Sequence, residues 1–255
     1  MLSRKADMKT YTSRATHFLF IIITIFLIIA CSAPQEEQTP SEIDTTAPAS
    51  IEKISTKTAA PEPIPAASNT ARYELTFNAT WSAGSHPENF DTNAHFSPFI
   101  TQIHNNSPEA AIFQPGALAS AGMEQMAETG ETTLLESEIE LIISAGNSAQ
   151  FIKGKRIDSP GVNTGTFDIS QDFSHILFVS MIAPSPDWFV AAEVNLFVDD
   201  QWIKEVELPL VSYDSGTDNG TTLTAVDSDT NPKELIFQLG KNLQSMGLLT
   251  LVRID

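Results

Sequence analysis

"HILFVSMIAPSPDWFV", His175 to Val190, holds two statements about the fold. The first eight residues are an apolar run with a single serine inside it, the pattern of a strand with little polar face to show to water. After Ala183, the five residues from Pro184 to Trp188 hold two prolines, an aspartate and a tryptophan. Proline fixes its own φ and removes an amide donor, so Pro184 and Pro186 should end the ladder and hold a pre-shaped loop. That loop presents Asp187, and Trp188 and Phe189 are large apolar anchors able to pin it to the edge of a core.

Outward from this segment, period-two alternation recurs. In "RYELTFNATW" Tyr73, Leu75, Phe77 and Ala79 alternate with Glu74, Thr76 and Asn78, the signature of a half-buried strand. Further strands are expected at "LLESEIELIIS" (134–144), "GTFDIS" (165–170), "EVNLFV" (193–198), "KEVELPLV" (204–211), "ELIFQLG" (234–240) and "LLTLVRI" (248–254). Pro209 pushes its strand towards a sheet edge. Only "GALASAGMEQMAETG" (116–130) reads as helical, with Ala117, Met123, Met126 and Ala127 available for a packed face. Short strands at this spacing predict an all-β protein, an antiparallel β-sandwich with one short helix, over residues 71–255.

The N-terminus has a different composition. Arg4, Lys5, Lys9 and Arg14 precede "FLFIIITIFLIIA" (18–30). Those thirteen positions would span roughly 20 Å as a helix, short of a hydrocarbon core of ~30 Å, so the segment is expected to be a signal h-region. It ends in "IIAC" (28–31), which resembles a bacterial lipobox and makes Cys31 the expected lipidation site. Cys31 is the only cysteine, so an intrachain disulfide is ruled out. Residues 1–30 would be the lipoprotein signal peptide. From 31 to 70 the chain is rich in Pro, Ala, Thr and Glu and poor in large apolar residues. Such a stretch cannot bury enough surface to offset chain entropy, which predicts a disordered tether. Ser32 follows Cys31 where an aspartate would favour inner-membrane retention, so an outer-membrane lipoprotein facing periplasm or cell surface is expected.

Charge narrows the partners. With 32 acidic against 14 basic residues the net charge is −18, which disfavours nucleic acid and favours cations. The stretch "YDSGTDNG" (213–220) places Asp214 and Asp218 around a glycine turn closed by Asn219-Gly220, and with Asp187 it offers hard oxygen donors of the kind calcium takes. The spacing is not that of an EF-hand. Asp and Gly serve turn geometry equally well, so pattern alone leaves both readings open.

Five stretches, "YELTFNATWS", "AHFSPFITQIHN", "GALASAGMEQMAETG", "MIAPSPDWFV" and "YDSGTDNG", in this order over about residues 72–225, resemble the spondin N-terminal domain of the F-spondin/mindin type. The resemblance implies a C2-like sandwich with calcium at one end and a part in adhesion or extracellular recognition. By motif it implies Asp187, Asp214 and Asp218 as calcium ligands, and it adds Asp168 of "GTFDIS" on position alone. The chain differs from animal relatives in lacking cysteines within the domain and a thrombospondin-type repeat after it, so their partners do not carry over. The expected partners are the membrane, through the lipid, and an unidentified protein or glycan of the envelope.

The contrasting expectation is a secreted or periplasmic hydrolase of glycans. Glu128, Glu131 and Glu136 could supply acid and base, although clustered glutamates near a helix end commonly form a solvated face. His86, His95 and His104 recur nine residues apart and could hold zinc, although nine suits neither a helix nor a strand. No serine nucleophile elbow is present. A hydrolase requires a deep cleft with paired carboxylates, whereas a recognition module requires only a rim of loops.

Overall fold

The alternation in "TARYELTFNA" builds the first strand, β1 (Thr70–Ala79), whose residues Ala71, Tyr73, Leu75, Phe77 and Ala79 are buried on one face. The computed structural model describes residues 67–255. The signal segment, Cys31 and nearly all of the tether lie outside the described residues. After β1 come β2 (His95–Phe96), β3 (Ile100–His104), α1 (Ala121–Thr129), α2 (Thr133–Ser144), β4 (Ser148–Lys153) and β5 (Ile157–Asp158). The chain continues through β6 (Gly161–Ser170), β7 (His175–Ala183), β8 (Trp188–Asn195), β9 (Phe197–Val198) and β10 (Gln201–Trp202). It ends with β11 (Glu205–Pro209), β12 (Val211–Asp214), β13 (Phe237–Gln238), a 3-10 turn (Lys241–Leu243) and β14 (Gly247–Arg253).

These strands form an antiparallel sandwich. One sheet runs β11-β14-β1-β6, and Pro209 closes its edge strand, where a missing amide costs no ladder bond. The larger sheet runs β13-β12-β8-β7-β2-β5, with β3 taking over from β2 along β7 and carrying β4. The inner faces enclose Tyr73, Leu75, Phe77, Phe178, Val190 and Leu251. Phe77 sits edge-on to both Phe96 and Phe178 with ring centroids 5.1 Å apart, the offset geometry that aromatic quadrupoles favour.

The apolar run of β7 has its explanation in a second core. Ile176, Phe178 and Ile182 face the sandwich interior, while Leu177, Val179 and Met181 on the opposite face pack with Met123 and Met126 of α1 and Leu135 and Ile139 of α2. A strand covered on both faces has no polar register to keep.

The helical layer departs from expectation: there are two helices, and the second occupies "TLLESEIELIIS", expected above to be a strand. Glu136, Glu138 and Glu140 alternate with apolar residues and imitate period two. The buried pair is Leu135 and Ile139, four apart, and Leu141, which a strand would bury with Ile139, is 71% exposed. Helical period therefore prevails because α1 supplies a partner for that stripe. Five short strands between other elements, β2 to β5 and β10, also have no alternation long enough to read.

The two helices touch at Gly122. A Cβ there would stand 2.5 Å from Glu138 Oε2 and 2.6 Å from the Leu135 Cα. The Glu138 carboxylate fills the space, accepting from Ser120 Oγ at 2.6 Å and Gly122 N at 2.8 Å, and so caps the start of α1. On an exposed helix Gly→Ala stabilises by ~1 kcal/mol. Here overpacking outweighs that gain, so Gly122→Ala should destabilise by about 1–3 kcal/mol in urea titrations. A gain in stability would show that the helices are not in close contact.

Candidate calcium site

Strands β8 and β12 pair so that Trp188 lies opposite Asp214, which brings the loop before β8 and the loop after β12 to the same end of the large sheet. Trp188 and Phe189 are the first residues of β8 and point into the two different cores, fixing the orientation of the residue before them. Ser185 braces the loop: its hydroxyl donates to Ile182 O at 2.5 Å and accepts from Trp188 N at 3.1 Å. Across the gap, a Cβ on Gly220 would meet Pro186 Cβ at 2.7 Å, so only glycine lets the second loop lie on the proline.

Asp187 is fully buried. Its Oδ2 accepts from Thr217 N at 2.8 Å, Asp218 N at 3.1 Å and Ser215 Oγ at 3.0 Å. The carboxylate thus holds the backbone of "YDSGTDNG" as an anion in a nest of amides. Its other oxygen, Oδ1, is buried with no hydrogen-bond partner. A buried carboxylate oxygen without a donor costs of the order of 1–3 kcal/mol and points to a missing cation or water.

Asp214 stands beside it. Its Oδ2 accepts from Trp188 Nε1 at 3.0 Å and its Oδ1 from Gly216 N at 2.8 Å. Burial, followed by repulsion from Asp187, pushes its carboxyl up to about 6 from an ordinary 3.8, against the pull of those two donors. Asp218 has a different part. Oδ1 closes a turn by accepting from Gly220 N at 2.6 Å, Oδ2 ties in the later loop by accepting from Ser228 N at 2.5 Å, and it is the Asp218 amide that reaches Asp187.

Glu128, in the last turn of α1, offered above as one of three carboxylates for a hydrolase or as part of a solvated face, lies beside Ser185 and Pro186 of the Asp187 loop. Its carboxyl is raised by burial, partly countered by the Thr217 hydroxyl, and raised further by the charges of Glu124, Asp187 and Asp227. Glu128 therefore belongs electrostatically to the Asp187 cluster. Its position in "MEQMAETG", one residue after the buried Ala127, gave no sign of this, because the contact depends on α1 packing across β7.

Asp168 is not brought to the other three. It lies two residues before the end of β6, exposed, with its carboxylate 3.2 Å from Arg72 Nη1. From there the chain turns into β7 and runs nine residues, about 30 Å of strand, before reaching the Pro184 loop. It occupies the opposite end of the sandwich. Among the described residues, no three His, Cys, Asp or Glu side chains form an assembled metal-ligand group. What the donor set offers calcium is one free buried carboxylate oxygen with two further carboxylates in charge contact, all of them hard oxygen ligands.

The alternative constellations disperse. His86 is held between Ser85 Oγ and Gln244 O, His95 bonds Asn93 O on β2, and His104 bonds Asn105 O at the far end of β3. Glu136 pairs with Lys153 at 2.7 Å and accepts from Thr132, while Glu131 lies in the exposed turn between the helices.

The family model described as Spondin_N matches residues 71–246. Spondin-1 of Gallus gallus is 32% identical over 181 residues, covering 68% of this chain and 22% of that protein. Spondin-2 of Homo sapiens is 30% identical over 188 residues, covering 70% of this chain and 55% of that protein. The chain thus spans about a fifth of the first and about half of the second. With two loops meeting at Asp187 and more than half its length matched, the chain belongs to the Spondin_N family.

Proposed function

We propose that this chain is a bacterial-type cell-envelope lipoprotein whose spondin-type domain takes calcium at Asp187 and serves adhesion or recognition of an extracellular or envelope ligand, protein or glycan. The observation that carries the reading is the buried, partnerless Asp187 Oδ1 on a loop braced by Pro184, Pro186 and Trp188. A carboxylate held in place before the ion arrives lowers the ordering cost of binding. Asp214 and Glu128 are the further candidate ligands, because both feel the Asp187 charge. Asp218, whose oxygens each accept one amide as those of Asp214 each accept one donor, stays a candidate beside them, and Asp168, paired with Arg72, is the one that stands apart. The kinship with Spondin-1 and Spondin-2 supports an extracellular setting and a recognition role in place of catalysis. No helix among the described residues is long and apolar enough to cross a membrane, and the attachment proposed is the lipid on Cys31.

The test is retention of solubilised envelope components by the immobilised protein, with millimolar calcium or with chelator, for wild type and Asp187→Asn. Material should be held by wild type in calcium and released in both other conditions. The same bands in every lane would remove calcium from the recognition step.

A further inference from the structure

A cleft of about 370 Å3 lies on the helix-covered face of the large sheet, well within the size range of small-ligand sites. Leu177, Ala191 and Val211 form its floor, Phe113 and Tyr213 line it as well, and Pro108 and Ala111 come from the β3–α1 connection. The two rings, Phe113 and Tyr213, pack edge-on with centroids 5.5 Å apart. It is separate from the Asp187 cluster in its lining residues.

His104, 2% exposed, has Nδ1 2.6 Å from Asn105 O, so Nδ1 carries the proton and Nε2 presents a lone pair. That Nε2 is buried without a partner. Burial holds the imidazole below its ordinary pKa, which keeps it neutral and accepting. Gln102, opposite Leu177 in the β3–β7 register, is buried and not part of the lining, with Nε2 on Ala110 O at 2.8 Å. Glu193, opposite Leu177 on the other side, makes no ion pair among the described residues, and its charge is felt by both His104 and Tyr213. Asn106 and Gln114 line the cleft with amides able to donate or accept, and of the lining residues Glu193 alone carries a formal charge. A ligand that complements Glu193 is a cation, and the aromatic and aliphatic remainder of the wall takes an apolar stem.

We infer that this cleft binds an ammonium or guanidinium group on an apolar stem, with Glu193 facing the charge and Phe113 and Tyr213 covering the stem. Such a group comes either from a free organic amine or from a lysine or arginine side chain of a polypeptide.

Titration calorimetry of the protein at 0.15 M salt, where surface charges are largely screened, distinguishes these. The probes are phenethylammonium for the free amine, N-acetyl-lysine methylamide for the side chain, and phenylacetate as the anionic counterpart of the first. Either cation, or both, should bind at least 10-fold more tightly than phenylacetate. Glu193→Gln should weaken that binding at least 10-fold while leaving the melting temperature unchanged, because Glu193 is exposed and unpaired. Asp187→Asn should leave it intact, which separates this site from the calcium reading. Failure of both cations to bind, equal binding of phenylacetate, or no effect of Glu193→Gln would each overturn the inference.

Discussion

Millimolar calcium should raise the melting temperature of this protein by about 5–10 °C, and Asp187→Asn should abolish the rise. At 100 times its dissociation constant, one ion that binds only the folded state contributes ~2.7 kcal/mol, and each kcal/mol moves a domain of this size by roughly 2–4 °C. Extracellular modules bind at about 10⁻⁴–10⁻³ M, so at the tight end of that range the full rise requires about 10 mM calcium, and about 1 mM gives roughly half of it. The asparagine variant is a clean probe because its side-chain oxygen can keep the bonds from Thr217 N and Asp218 N, while the amide nitrogen takes the place of the partnerless Oδ1. Its loop should stay folded and its cation site should be gone.

The controls follow from where the carboxylates lie. Glu128→Gln should lose part of the calcium response, since Glu128 feels the Asp187 charge. Asp168→Asn should keep all of it, since that carboxylate pairs with Arg72 at the other end of the sandwich. A rise of equal size in all variants would mean that calcium merely screens a chain of net charge −18. In chelator the same site has a pH signature. The Asp214 carboxyl, pushed up to about 6 in the folded chain from an ordinary 3.8, lends stability that is complete below the ordinary value. That contribution is lost as pH rises through about 6, so the chelated protein should melt lower at pH 7 than at pH 4.5 as far as this group decides.

What the sequence made legible depended on whether a pattern could have only one cause. The alternation of β1 holds because its outer face meets water, and the proline-braced turn before Trp188 holds because two fixed φ angles end a strand wherever they fall. The stripe of α2 had two solutions. Three alternating glutamates suited a strand, and only the presence of α1, with glycine at the crossing, selected the helix. The candidate site divides in the same way. Asp187 was legible because its neighbours are unusual, whereas "DNG" suited two uses of Asp218, and its Oδ1 does close the turn on Gly220 N beside the ligand role expected of it. The charge contact of Glu128 with Asp187 was not legible, because contact across a helix–sheet interface leaves no spacing in the chain. Asp168 came from resemblance alone, and its register against Arg72 is what removes it.

On the proposal that Cys31 carries the lipid anchor, replacing it by alanine should leave an unprocessed precursor without acyl lipid, a change close to all-or-none. The motive is the basic n-region, the thirteen-position apolar run and "IIAC" at 28–31. A thiolate is the only nucleophile in this chain that can carry a thioether-linked lipid, and there is only one thiol. Buried acyl chain contributes about 0.8 kcal/mol per methylene, and a single chain holds a protein only reversibly, so stable anchoring follows from the several chains a mature lipoprotein carries. The uncleaved apolar run, at roughly 20 Å, is a poor substitute for a span of ~30 Å. Metabolic labelling with an alkyne fatty acid should mark wild type and not Cys31→Ala, and the mature wild-type chain should begin at Cys31 with added acyl mass. Brief treatment with a non-specific protease should then cut between residues 32 and about 70, where Pro, Thr and Glu leave little to bury, and release the sandwich intact. A mature chain that starts elsewhere without acyl mass would refute the anchor, and protection of that segment would mean that it packs against something.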